Sequence, residues 1–138
     1  MPDAILAIDY GTRKIGVAIG YRETAMAHPL AVIFYRKKAL LLSEIGKIIA
    51  EWRPRLLLMG APSHQDGTPH PIAEQAKLLA RDITKHFSLQ TILVDERLTT
   101  MTAKSQLDEM GLSHAKQKNA ADSVAACEII RGYLSACI

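Results

Sequence analysis

Cysteine is nearly absent from this chain, with Cys127 and Cys137 both close to the C-terminus. Two thiols there make no disulfide framework and lack the four-ligand spacing of a zinc site, so a reducing, cytoplasmic setting is expected. No apolar run is long enough to cross a bilayer, and Met1-Pro2-Asp3 brings no basic region to a signal core, so a membrane partner is not expected. Blocks of like charge, internal repeats and low-complexity tracts are missing too, which leaves no candidate linker. The 138 residues therefore read as one globular domain, 1–138, nearly half apolar and able to fill a core. Their 17 Lys and Arg against 14 Asp and Glu permit a nucleic-acid partner without demanding one.

Apolar patterning supplies the elements. Ala4 to Ile8 is a continuous apolar run stopped at Asp9-Tyr10-Gly11, as in a strand covered on both faces. Ile15 to Gly20, after a turn from Gly11 to Lys14, reads as the second arm of a hairpin, and Met26 to Tyr35 as a third strand in which Pro29 demands an edge or a bulge. Leu41, Leu42, Ile45, Ile48, Ile49 and Trp52 predict a helix over about 40–52, closed before Pro54. A strand from Arg55 to Gly60 and a Gly- and Pro-rich loop follow. Pro71 then opens a helix with the stripe Ile72, Ala76, Leu79, Ala80, Ile83 and Phe87. Thr91 to Val94 is another short strand. Thr99 or Thr100 caps a helix carrying Ala103, Leu107 and Met110, and after a basic, polar linker Asn119 caps a last helix to about Leu134. The order predicts an α/β fold: a mixed five-stranded sheet, a three-strand meander plus two parallel strands, with helices on both faces.

Two of those strands run into acid, one at Asp9 and the other at Asp95-Glu96. Parallel neighbours would bring both ends to the same sheet edge, where open α/β sheets place their ligands. Alternation lets only one of Asp95 and Glu96 join Asp9, and the residues alone do not choose. Asp122 shares a helical stripe with Ala126, Ile129 and Tyr133, which turns a carboxylate inward. A buried carboxylate wants a cation, a hydrogen-bond network or a proton. Hard divalent cations such as Mg²⁺ suit oxygen ligands, and no Cys or His cluster favours zinc. Each acid has a plainer explanation: Asp9 as a strand-ending turn, Asp95-Glu96-Arg97 as a surface ion pair, Asp122 as an early helix cap. The three together outweigh it.

Four segments give a specific resemblance. They are Ile8 to Ala18 (IDYGTRKIGVA), Gly60-Ala61-Pro62 with Asp66-Gly67-Thr68, Asp95 to Thr100 (DERLTT), and Asp122 to Ala126 (DSVAA). In this order and spacing the chain resembles the YqgF/RuvX family over essentially its whole length. The family is described as a pre-16S ribosomal RNA nuclease and, earlier, as a Holliday-junction resolvase-like protein. The resemblance implies a ribonuclease H-like fold, Asp9, Glu96 and Asp122 as catalytic and metal-binding acids, and Mg²⁺ or Mn²⁺ as cofactor, with Glu96 chosen over Asp95. The family's lysine two or three residues before the last acid is replaced by Ala120 and Asn119, and Lys118 stands four before.

Two cations held by three carboxylates suit an in-line attack of water on phosphorus without a covalent nucleophile. Gly11, Thr12, Arg13, Lys14 and Arg97 adjoin the acids and, with Lys118, are the candidate phosphate contacts. For each base singly, a solvated surface charge is about as good an explanation. Arg36-Lys37-Lys38 reads as a solvated loop, and His64 and His70 as loop polarity. Two other classes are open: an actin-like or sugar-kinase phosphotransferase, which needs a second domain and ATP, and a nucleic-acid-binding module without chemistry. The expected partner is precursor 16S ribosomal RNA in ribosome biogenesis or, alternatively, branched DNA in recombination. The expected state is a monomer or weak homodimer.

Overall fold

A strand apolar on both faces needs cover on both sides, and Ala4–Asp9 (β1) has it in the computed structural model, which describes residues 3–61, 71–95 and 114–136. Ala4, Leu6 and Ile8 enter one core cluster, and Ile5 and Ala7 enter a second on the opposite face. β1 pairs antiparallel with Lys14–Tyr21 (β2), which pairs antiparallel with Met26–Phe34 (β3). On its other side β1 pairs parallel with Leu56–Ala61 (β4), itself parallel to Gln90–Asp95 (β5). The sheet order is β3-β2-β1-β4-β5, the expected meander plus two parallel strands. β3 forms an edge, and the register slips between Val17↔Ala31 and Ala18↔Pro29, so Leu30 is an extra residue. Pro29, with no N–H to give a ladder, sits beside both features its sequence asks for.

Lys38–Trp52 (α1) and Pro71–Phe87 (α2) cover the Leu6 face through Leu41, Ile45, Ala76, Leu79 and Ile83. α1 ends as Arg53 takes a left-handed φ of 48° and its N–H donates to the Ile49 carbonyl at 2.8 Å. His114–Ala136 (α3) covers the Ile5 face through Ala126, Cys127, Ile129 and Ile130. Gly20 lets α3 approach β2, because a Cβ there would stand 2.7 Å from Ile130 Cγ2. Truncating Ile129 or Ile130 to alanine would remove about 2–5 kcal/mol.

The start of the last helix differs from expectation. α3 begins at His114 rather than Asn119, since Ala115, Lys116, Gln117 and Lys118 are good helix formers and neither Gly nor Pro interrupts them. From His114 onward the stretch read as a linker is helix, and Lys118 is carried on α3. The expected helix with Ala103, Leu107 and Met110 lies outside the described residues.

Candidate active site at the carboxyl edge of the central strand

Asp9 ends β1 half-buried, on the face of Ile5 and Ala7 that packs under α3. Across the sheet its row reads Val32, Gly16, Asp9, Gly60, Val94. Glycine on both flanks means that neither residue paired with Asp9 carries a side chain. The row is locked by the backbone, where the Tyr10 N–H donates to the Gly60 carbonyl at 3.1 Å. Gly16 and Gly60 enter the sequence reading only within the resemblance motifs, and that they flank Asp9 follows from the register.

The other acids are defined less completely. Ile92 and Val94 of β5 pack with the α3 cluster, whereas Thr91 accepts a hydrogen bond from Thr84 of α2 at 3.1 Å on the opposite face. Asp95 has the parity of Thr91. Glu96 and Arg97 lie outside the described residues. Asp122 belongs to α3 one turn before Ala126. Ala126 and Ile129 are buried and Tyr133 half-buried against the sheet, so the stripe assigned to that helix is its packing face. The side chains of Asp95, Lys118 and Asp122 are outside the description.

The turn after Asp9 is fixed from below. Gly11 is needed there because a Cβ would lie 2.4 Å from the Lys14 carbonyl oxygen. The Tyr35 phenol donates to the Gly11 carbonyl at 2.5 Å, and the Tyr35 N–H donates to the Arg13 carbonyl at 2.9 Å. Burial, and then the hydrogen bond with Tyr10, push the Tyr35 phenol well above the usual tyrosine range. Tyr10 in turn donates to Gln75 Oε1 of α2 at 3.2 Å. Thus the end of β3 and helix α2 both hold the turn that follows the acid. Thr12 and Arg13 are exposed on it. Lys14 is the first residue of β2 rather than part of the turn, with its Nζ 5.9 Å from the centre of the Phe34 ring. Tyr35 and Phe34 were not singled out in the sequence. Of the basic run at 36–38, Lys38 opens α1 and pairs with Asp82 of α2, so it is not a loop charge.

A carboxylate at the carboxyl end of a central strand, paired with glycine on both sides and facing a helix, is suited to hold a hard cation with other oxygen donors. Among the described side chains no three His, Cys, Asp or Glu form a cluster.

The same architecture occurs in the T. thermophilus RuvC structure solved with a Holliday junction substrate. Its TM-score is 0.63 at 13% identity, over 97% of this chain and 94% of that one. The fowlpox virus resolvase solved with Holliday junction DNA gives a TM-score of 0.61 at 8% identity, over 98% and 99% of the two chains. At such identities the likeness is one of fold, and the fold is ribonuclease H-like. Sequence narrows the class. The family model described as "RuvX: Holliday junction resolvase" matches residues 3–136, and the chain belongs to the RuvX family. A Nitrosospira multiformis protein named "Putative pre-16S rRNA nuclease" is 39% identical, over 93% of this chain and 85% of its own. One of the same name from Shewanella denitrificans is 41% identical, over 96% and 94%.

Proposed function

We propose that this chain is a metal-dependent endonuclease that hydrolyses nucleic-acid phosphodiesters and trims the 5′ end of precursor 16S ribosomal RNA in the cytoplasm. The observation that carries the reading is Asp9 between Gly16 and Gly60, on the face that α3 covers. Asp122 belongs to that helix, and Asp95 alternates with Ile92 and Val94 along β5, which supports the family's choice of Glu96 as the third acid. Relatives at 37–41% identity over nearly the full chain bear the pre-16S rRNA name, which weighs more than fold likeness to resolvases near 10% identity.

Asp9, Glu96 and Asp122 would hold two Mg²⁺ or Mn²⁺ ions, which supply charge neutralisation and water activation for in-line attack on phosphorus. The chain's own part is to orient the phosphodiester. The Gly11-Thr12 backbone lets the strand approach Asp9, Arg13 and Lys14 hold phosphates on one side, and Arg97 and Lys118 are assigned to others. No covalent nucleophile is required. Among the described residues no helix is long and apolar enough to cross a membrane. A single domain acting as a monomer or weak homodimer completes the reading.

Branched DNA is the second substrate class, favoured by the description of the family model. Purified protein with Mg²⁺ is offered a 5′-extended 16S precursor and, in parallel, a synthetic four-way junction. The precursor should be cut by the wild type and left intact by Asp9→Asn. Cutting of the junction alone would transfer the function to recombination, and no cutting of either with Mg²⁺ or Mn²⁺ would remove the nuclease reading.

A further inference from the structure

Phe34 is 65% exposed at the end of edge strand β3, outside both core clusters. The bulge at Leu30 sets where it stands. By shifting the register one residue, the bulge pairs Val32 with Gly16 and Phe34 with Lys14, which gives both the face that Asp9 occupies. Phe34 is therefore one pleat along from the Asp9 row, and Lys14 brings an ammonium to within 5.9 Å of its ring centre. The ring borders a groove of about 840 Å³ that opens at the end of β3 toward α1, where Ile33, Tyr35 and Leu41 form its apolar wall and Arg13, Arg36 and Glu44 its charged rim. Arg13 and Arg36 form no ion pair with any described residue, and the groove's Glu44 is paired with Lys47 at 3.1 Å. On the groove's rim the two guanidinium groups outnumber the one carboxylate.

From this juxtaposition we infer that Phe34 is a stacking platform for an unpaired base. A single strand crossing the Asp9 edge would pass over the 11–13 turn and lay its phosphates against Arg13 and Arg36. The inference rests on the nucleic-acid reading of the Asp9 site and names its substrate as single-stranded there. An exposed aromatic face flanked by cations fits a base and its phosphate without regard to sequence. A continuous duplex cannot use it, because its base faces are already stacked on one another.

The test is binding in chelator, where no cleavage occurs, of a short oligouridylate and of a blunt RNA duplex of equal length. Phe34→Ala should weaken oligouridylate binding by about 5- to 150-fold and leave duplex binding within about twofold. Phe34→Trp should restore it, with indole fluorescence quenched as the base stacks. Unchanged oligouridylate binding by Phe34→Ala, or equal loss for strand and duplex, overturns the platform. So does a variant that binds normally but separates a wild-type dimer, which would make Phe34 a contact between copies. Normal oligouridylate binding without cleavage in metal would instead sink the nuclease reading and leave the platform standing.

Discussion

Replacing Gly11 by alanine puts a Cβ 2.4 Å from the Lys14 carbonyl oxygen, and no flexible side chain stands there to yield. Backbone must move, at a cost of about 1–3 kcal/mol by analogy with overpacked sites. Movement also strains the hydrogen bond from the Tyr35 phenol to the Gly11 carbonyl, which contributes about 0.5–1.5 kcal/mol. For a domain of this size, roughly 3–5 °C of Tm per kcal/mol gives a fall of about 3–15 °C for Gly11→Ala. Tyr35→Phe alone should lose about 2–7 °C by the same conversion. Because both changes act on one turn, Tyr35→Phe should cost less in the Gly11→Ala background than in wild type. The Tyr35 phenol is raised above the ordinary value of 10.0, so the folded state favours its protonated form. That contribution is complete below pH 10 and fades as pH rises through and above it, so the gap between wild type and Tyr35→Phe should narrow in alkali. Thermal melts of the four proteins at neutral and alkaline pH, with precursor cleavage at neutral pH, make the assay. Cleavage should fall further than stability in Gly11→Ala, since Arg13 and Lys14 move with the turn. A Gly11→Ala protein that melts within a degree or so of wild type and cuts normally would refute the claim that this turn positions the site.

Glu96→Gln and Asp122→Asn should abolish cleavage in folded protein while Asp95→Asn is milder. A dead Asp95→Asn beside an active Glu96→Gln would reverse the parity argument. Arg13→Ala and Lys118→Ala should each weaken substrate binding and lower the logarithmic salt slope by about one unit, and unchanged slopes would demote both to surface charges. Cys127 is buried under the sheet, and that burial raises its thiol to about 11, so the native protein should resist alkylation there that denatured protein undergoes at once. Rapid native labelling of Cys127 would mean that α3 opens readily.

The central strand was readable because β1 announces itself twice, by five apolar residues with no polar break and by the acid that stops them. Pro29 likewise announced an edge or a bulge, since its missing N–H leaves few places in a sheet, and β3 has both. The consequence of that bulge was not readable. A single extra residue moves Phe34 to the Asp9 face, and which strand residue is extra depends on pairing with β2 rather than on β3 itself. The glycine flanks of Asp9 were hidden for the same reason: Gly16 and Gly60 are 44 residues apart and become neighbours of the acid only through register. The start of α3 was misplaced because Asn119 is a good cap in isolation, yet the residues before it are helix formers. Tyr35 needed the fold, since nothing local links its phenol to a carbonyl 24 positions earlier.

Melting in metal tests the three-acid site without any choice of substrate. If Asp9, Glu96 and Asp122 converge, their charges repel in chelator and are relieved by a bound cation, so wild-type Tm should rise along a Mg²⁺ or Mn²⁺ titration. Asp122→Asn should melt at or above wild type in chelator and gain less with metal. Equal metal responses in the two proteins, or an Asp122→Asn protein that is less stable in chelator, would make Asp122 an ordinary helix residue and contradict the account.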